Sequence, residues 1–265
     1  MTLCCSNVSV SYGHHKALNG FSISLEAGEI RALVGPNGSG KSTALHALAG
    51  LLTPDTGRVE IDGRSIHDMK RRQLARTLAF LPQQPSAPEE MTVRQLVYQG
   101  RFAHVGLLRS YGREDEEAVR WALAGTGLDG MAERRLRDIS GGERQRAWIA
   151  AALAQEASIL LLDEPTSFLD IGHQVEVLDL LHRLSIERKT TIVMAIHDLN
   201  QAMSISDYLS LLDRGACLFD GPPSELAASG LIESTFRVSG RFVEIDHRPH
   251  FDIDLACRRR TVPRP

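Results

Sequence analysis

Hydrophobic positions along the chain fall into short runs, several of them unbroken by polar residues. Leu3 to Val10, with Ile23 and Leu25, suggests short antiparallel strands, with turns at Gly13, Asn19-Gly20 and Ala27-Gly28. Ile30 to Val34 reads as a buried strand that runs into a glycine-rich turn. From Ser42 onward Leu45, Leu48 and Leu52 recur at helical spacing, and the pattern stops at Thr53 to Gly57. Arg58 to Asp62 predicts another short strand, closed by Gly63. Between about Met91 and Gln155 the texture changes to charged helical stretches, such as Glu114 to Glu117 followed by Ala118 to Leu123. Strand patterns return at Ile159 to Leu162, Thr191 to Ile196 and Tyr208 to Leu212, and a helix carrying Val177, Leu181 and Leu184 joins the first two.

Strands that are apolar throughout and alternate with helices predict a mainly parallel sheet covered on both faces, an α/β fold. Residues 1–90 and 156–235 are expected to form the core, with an antiparallel part at its N-terminus, and 91–155 an inserted helical lobe. The pattern weakens after Thr235, so 236–265 is expected to be an extension, with Arg258 to Pro265 a loose tail.

Composition adds mainly exclusions. At 265 residues, 43% hydrophobic and 24% charged, the chain can bury a core without disulfides or metal. A formal charge of -3 gives no basic field for nucleic acid. The basic clusters at 70–72, 134–135 and 258–260 read as solvated faces and a tail. Cys4, Cys5, Cys217 and Cys257 lack metal-ligand spacing and read as reduced thiols. The N-terminus lacks the basic and apolar regions of a signal peptide, and no apolar run approaches the roughly 18 residues that span a bilayer.

The strongest chemical signal follows the strand at 30–34. Gly35, Pro36, Asn37, Gly38, Ser39, Gly40, Lys41 and Ser42 match GxxxxGK(S/T) in full, with Thr43 next and a helix beyond. The glycines let the backbone wrap phosphate oxygens, and the helix N-terminus adds partial positive charge. Lys41 is expected to reach the β- and γ-phosphates and Ser42 to ligate Mg²⁺. The second signal is Ile159 to Glu164, an apolar strand ending in two acids. Asp163 suits orientation of Mg²⁺ at a strand's carboxyl end, and Glu164 suits activation of water near the γ-phosphate.

Between these two motifs, Ile139 to Gln145 resembles the ABC signature sequence, usually written LSGGQ. The other elements of that family appear in order. Tyr12 resembles its adenine-stacking aromatic, Gln83 its Q-loop glutamine, Ser167 to Asp170 its D-loop and His197 its switch histidine. Ile139, Glu143 and Phe168 depart from the usual Leu, Gln and Ala. The resemblance, from about Leu3 to Leu226, implies a phosphate-loop NTPase cassette with a RecA-like core, an antiparallel β subdomain and an inserted helical subdomain. It implies ATP and Mg²⁺ as ligands. Glu164, His197 and Gln83 would be catalytic, Ser42, Gln83 and Asp163 would hold the metal, and Tyr12 would stack on adenine. Ser140, Gly141, Gly142 and Glu143 of one copy would close over ATP held by another, making a homodimer.

The resemblance also implies a free-standing cassette on two transmembrane permease subunits, at the cytoplasmic face of the inner membrane. A periplasmic or lipoprotein substrate-binding protein would act with it. Phe80 to Pro85, Met91 to Val97 with Gly100-Arg101, Ser140 to Ala150, Asp163 to Gln174 and Ile196 to Asn200 are similar to ferric-siderophore import ATPases, the hydroxamate type in particular. Haem and cobalamin import ATPases share much of this pattern. The competing class, soluble ABC ATPases of repair, chromosome or ribosome work, typically carries tandem cassettes, coiled-coil or zinc insertions, and the segment between Gln83 and Ser140 has neither insertion.

Overall fold

The structure is a computed structural model that describes residues 2–105 and 110–254. Cys257 and the basic triplet at 258–260 lie outside the described residues. In chain order the strands are β1 (Leu3–Tyr12), β2 (His15–Leu25), β3 (Ile30–Val34), β4 (Thr56–Ile61), β5 (Arg64–Ser65), β6 (Leu78–Leu81), β7 (Ile159–Asp163), β8 (Thr191–Ala195), β9 (Tyr208–Asp213), β10 (Ala216–Gly221), β11 (Gly240–Ile245) and β12 (Arg248–Ile253). The helices are α1 (Lys41–Leu48), α2 (Arg71–Thr77), α3 (Val93–Gln99), α4 (Phe102–Val105), α5 (Arg113–Gly125), α6 (Gly141–Ala154), α7 (Ile171–Arg188), α8 (Leu199–Ile205), α9 (Pro223–Ala228) and α10 (Leu231–Phe236).

A six-stranded sheet in the order β10-β9-β3-β8-β7-β6 forms the centre. Its neighbours from β9 to β6 pair in parallel, and β10 runs antiparallel at the edge. Because successive side chains face opposite ways, each central strand feeds two cores. Ile30, Leu160, Leu162, Ile192 and Met194 pack with α3, α5, α6 and α7 on one face. Leu33, Leu161, Val193 and Ala195 pack on the other face with α1 and the antiparallel sheet β2-β1-β4-β5. Burial on both faces is why these strands carry no polar alternation.

Register sets the carboxyl ends of four strands side by side. Leu81 pairs Leu162, Asp163 pairs Ala195, and Leu33 also pairs Ala195. Open α/β sheets place ligands beyond this edge.

Two local expectations change. Asn19-Gly20 is not a turn between strands but lies inside β2, where Gly20 takes φ +67° at a register shift against β1. The expected extension after Thr235 contains a hairpin, β11–β12, closed by Asp246 and His247, both with positive φ. Two such residues make a turn whose twist matches paired strands. β6, for which the sequence carried no reading, follows α2 without a loop.

Candidate functional site

The loop between β3 and α1 depends on glycines at two close approaches. Gly35 has φ +147°, and a Cβ there would lie 2.1 Å from the Leu212 carbonyl oxygen. Gly40, with φ +109°, would bring a Cβ to 2.6 Å from the Ala17 carbonyl oxygen. No side chain fits either place, since the obstructing atoms are backbone. The loop is propped from the β9–β10 turn, where Gly215 N donates to Ser39 O at 2.9 Å. This support joins residues far apart in the chain, so no local pattern marks it.

Lys41 is buried, and its Nζ donates to the carbonyls of Gly35 at 2.8 Å and Pro36 at 3.0 Å. Burial holds its pKa below the ordinary lysine value, and the carboxylates of Glu164 and Asp163 act in the opposite sense. Asp163 ends β7 only 3% exposed. Burial raises its pKa, while a hydrogen bond from Ser42 favours the carboxylate. Its Oδ1 has no hydrogen-bond partner among the described residues, and the same is true of Ser39 Oγ. Native structures rarely leave buried polar atoms so, and an orphan at a ligand edge points to a bound partner.

Glu164 follows β7 with φ +53°, a left-handed conformation uncommon outside glycine and asparagine, held by its N–H on the Ala195 carbonyl at 3.1 Å. That bond ties it to the end of β8, two residues before His197. The His197 Nε2 and Glu164 Oε1 are hydrogen bonded. Glu164 is largely buried, and the His197 ring is 45% exposed.

Tyr12, Gln83, Glu164, His197 and the loop from Asn37 to Thr43 line one cleft of about 430 Å³, within the ~300–1,000 Å³ of small-ligand sites. His15 and Ala17 line it as well, without a signal in the sequence. Tyr12 is half exposed at the end of β1, as a stacking surface requires. Gln83 lies two residues beyond β6.

Ser140, Gly141, Gly142 and Glu143 do not line this cleft; they start α6. Ser140 is its N-cap, with Oγ accepting from Glu143 N at 3.2 Å while Glu143 Oε2 accepts from Ser140 N at 2.7 Å. The backbone bond from Ser140 lowers the Glu143 pKa. The Ser140 hydroxyl accepts in this cap and also bonds the Glu143 carboxylate, which lowers the Glu143 pKa further. In the loop after Glu164, Phe168 has φ +66° and is 75% exposed.

A glycine-shaped phosphate loop, a buried lysine and a carboxylate pair at one sheet edge define a nucleotide-binding ATPase cassette. The ABC transporter family model matches residues 18–167. The petrobactin import ATP-binding protein FpuC of Bacillus anthracis is 44% identical over 91% of this chain and 90% of its own. The iron(3+)-hydroxamate import ATP-binding protein FhuC of Bacillus subtilis is 40% identical over 91% and 90%. Among solved structures, an ABC transporter assigned to the metal-chelate type, in an inward-facing conformation, superimposes with a TM-score of 0.81 at 28% identity, covering 96% of each chain. The dimeric bacterial cassette MJ0796 gives 0.75 at 28% identity, covering 83% of this chain and 98% of that one. The chain therefore belongs to the ABC transporter family, as an ATP-hydrolysing ATP-binding subunit. No helix among the described residues is long and apolar enough to cross a membrane.

Proposed function

We propose that the chain energises import of a ferric siderophore, as a homodimer docked on two transmembrane permease subunits at the cytoplasmic face of the membrane. A substrate-binding protein outside the membrane would deliver the cargo. The reading is supported by 40–44% identity to importers of petrobactin and iron(3+)-hydroxamate over nine-tenths of each chain. The single observation that carries the chemistry is the meeting of Lys41, Glu164 and His197 in one cleft.

In this reading the backbone of Gly35 to Gly40, with Lys41 and Thr43, cradles the phosphates, and Tyr12 stacks on adenine. Ser42, Asp163 and Gln83 offer the hard oxygen donors that suit Mg²⁺. The orphaned Asp163 Oδ1 fits that role. The bound ion would supply neutralisation of the phosphate charge.

Glu164 accepts a proton from water as the water oxygen bonds to the γ-phosphorus and the bond from that phosphorus to the β–γ bridging oxygen breaks. ADP leaves with the electron pair. General-base action of this kind is worth about 10²–10⁴-fold in rate. His197 orients Glu164 and meets the γ-phosphate. The Ser140 hydroxyl and the N-terminus of α6 face the γ-phosphate held by a second copy, where the helix end favours negative charge. ATP then joins the two copies, and hydrolysis parts them.

The test is uptake of labelled ferric siderophore, haem and cobalamin by iron-starved host cells carrying the wild-type chain or Glu164→Gln. Loss of ferric-siderophore uptake alone is the expected result. Loss of haem or cobalamin uptake in its place moves the cargo to that importer class, and survival of all three removes this substrate group and reopens a role outside transport.

A further inference from the structure

The His197 ring is nearly half exposed, and its only side-chain hydrogen bond among the described residues goes to Glu164. Its position therefore comes from its backbone, which leads directly into α8. Asp198 caps that helix by accepting from Gln201 N at 3.0 Å. With seven residues α8 is too short to hold itself. Two side chains of its first turn anchor it on opposite sides.

Asn200 faces the C-terminal hairpin. Its Oδ1 accepts from Phe251 N at 2.7 Å and its Nδ2 donates to Phe251 O at 3.2 Å. The carboxamide thus pairs with β12 as a neighbouring strand residue would, satisfying both backbone groups of one residue. Nδ2 also lies 3.2 Å from His250 Nε2. Phe251 is 5% exposed, packs at a tilt against Phe242 with ring centroids 4.9 Å apart and belongs to the main core. The hairpin is therefore a fixed brace. Gln201 faces the other way. Its Nε2 donates to Gln174 Oε1 at 2.7 Å, and its Oε1 accepts from Thr166 Oγ1 at 3.2 Å. Gln174 in turn donates to the carbonyls of Thr166 and Leu169. Thr166 stands two residues after Glu164, so this relay ties α8 to the segment that carries the carboxylate.

We propose that Asn200 and Gln201 are positioning residues that fix His197 against Glu164, Asn200 through the C-terminal hairpin and Gln201 through Thr166 and Gln174. The proposal rests on the reading that Glu164 and His197 act on the γ-phosphate. It gives the hairpin after residue 239 a part in catalysis, although none of its residues reaches the cleft. A displacement of about 1 Å at reacting groups can cost ~10²-fold, so partial loosening of α8 has a measurable effect.

The experiment is steady-state phosphate release by the full-length Asn200→Ala and Gln201→Ala proteins, with ATP affinity measured by equilibrium binding. Each variant is expected to lower kcat about tenfold while KM and ATP affinity stay within about twofold, since the phosphate loop is untouched. Asn200→Asp keeps the acceptor for Phe251 N and is expected to fall between wild type and alanine; it carries the test if the alanine protein does not fold. An unchanged kcat, or kcat and ATP affinity falling together as in general loosening, overturns the proposal. Full turnover by Glu164→Gln would instead remove the reading beneath it, whatever the Asn200 and Gln201 variants do.

Discussion

Glu164, one residue beyond β7, and His197, two residues beyond β8, share a hydrogen bond across the sheet edge. The pairing follows from register, because Asp163 lies opposite Ala195 and both chains turn out of the sheet there. Glu164 N completes the junction on the Ala195 carbonyl. Neither residue would carry a functional reading alone. Their meeting beside the glycine loop is what supports reading them as a water-activating pair.

Lys41→Ala is expected to weaken ATP binding itself. A charge-assisted hydrogen bond contributes about 1.5–3 kcal/mol, or roughly 10–150-fold in affinity. Titration of the purified protein with a fluorescent ATP analogue reads this directly, and unaltered affinity would remove the lysine from the phosphate cradle.

Gly35→Ala should behave like a loss of the loop. Its Cβ would stand 2.1 Å from the Leu212 carbonyl oxygen, and β9 cannot retreat while paired to β3. Backbone strain of order 1–3 kcal/mol predicts ATP affinity reduced about 5- to 150-fold. Gly38→Ala is the informative comparison: its Cβ meets nothing within 4 Å, so only its φ of +75° resists. The same titration should rank it between wild type and Gly35→Ala.

Stability should depend on pH through Asp115. Burial alone would raise its pKa, but hydrogen bonds from Gly112 N and Arg101 outweigh burial and lower it. Its stabilising contribution is therefore present above the ordinary carboxylate range and is lost as pH falls through the lowered native value. Asp115→Asn leaves Arg101, 3% exposed, with Glu156 and the Ala154 carbonyl as partners. The expected cost is about 3 kcal/mol at pH 7, shrinking below roughly pH 4. Urea denaturation of both proteins across that range checks it, and a pH-independent difference would contradict it.

Ser140→Ala removes the N-cap of α6, which costs about 1 kcal/mol, and the hydroxyl that the proposed dimer would place at a second copy's nucleotide. ATP affinity of the isolated subunit should stay near wild type while ATP-driven dimerisation weakens, as followed by sedimentation. Equal loss of both would mean that α6 serves its own cleft.

Much of this arrangement is legible in the residues. β3, β7 and β8 announce themselves because burial on both faces demands unbroken apolar runs, and the phosphate loop because only glycine fits beside Leu212 and Ala17. Other parts are silent for physical reasons. β6 has four residues and follows α2 without a turn signal. The β11–β12 hairpin turns at Asp246-His247 with no glycine to mark it. Asn19-Gly20 carries a turn signature yet makes a bulge, since Gly20 meets Ser9 of the partner strand through a side-chain bond. The support of Ser39 by Gly215 and of α8 by Phe251 joins residues distant in the chain, which no local pattern encodes.

The most direct measurement is phosphate release by Glu164→Gln beside its ATP binding and oligomeric state. ATP affinity near wild type, turnover reduced at least about 100-fold, and a dimer that persists with ATP are expected. Turnover at the wild-type rate would contradict the assignment of Glu164, and with it the chemistry of the cleft.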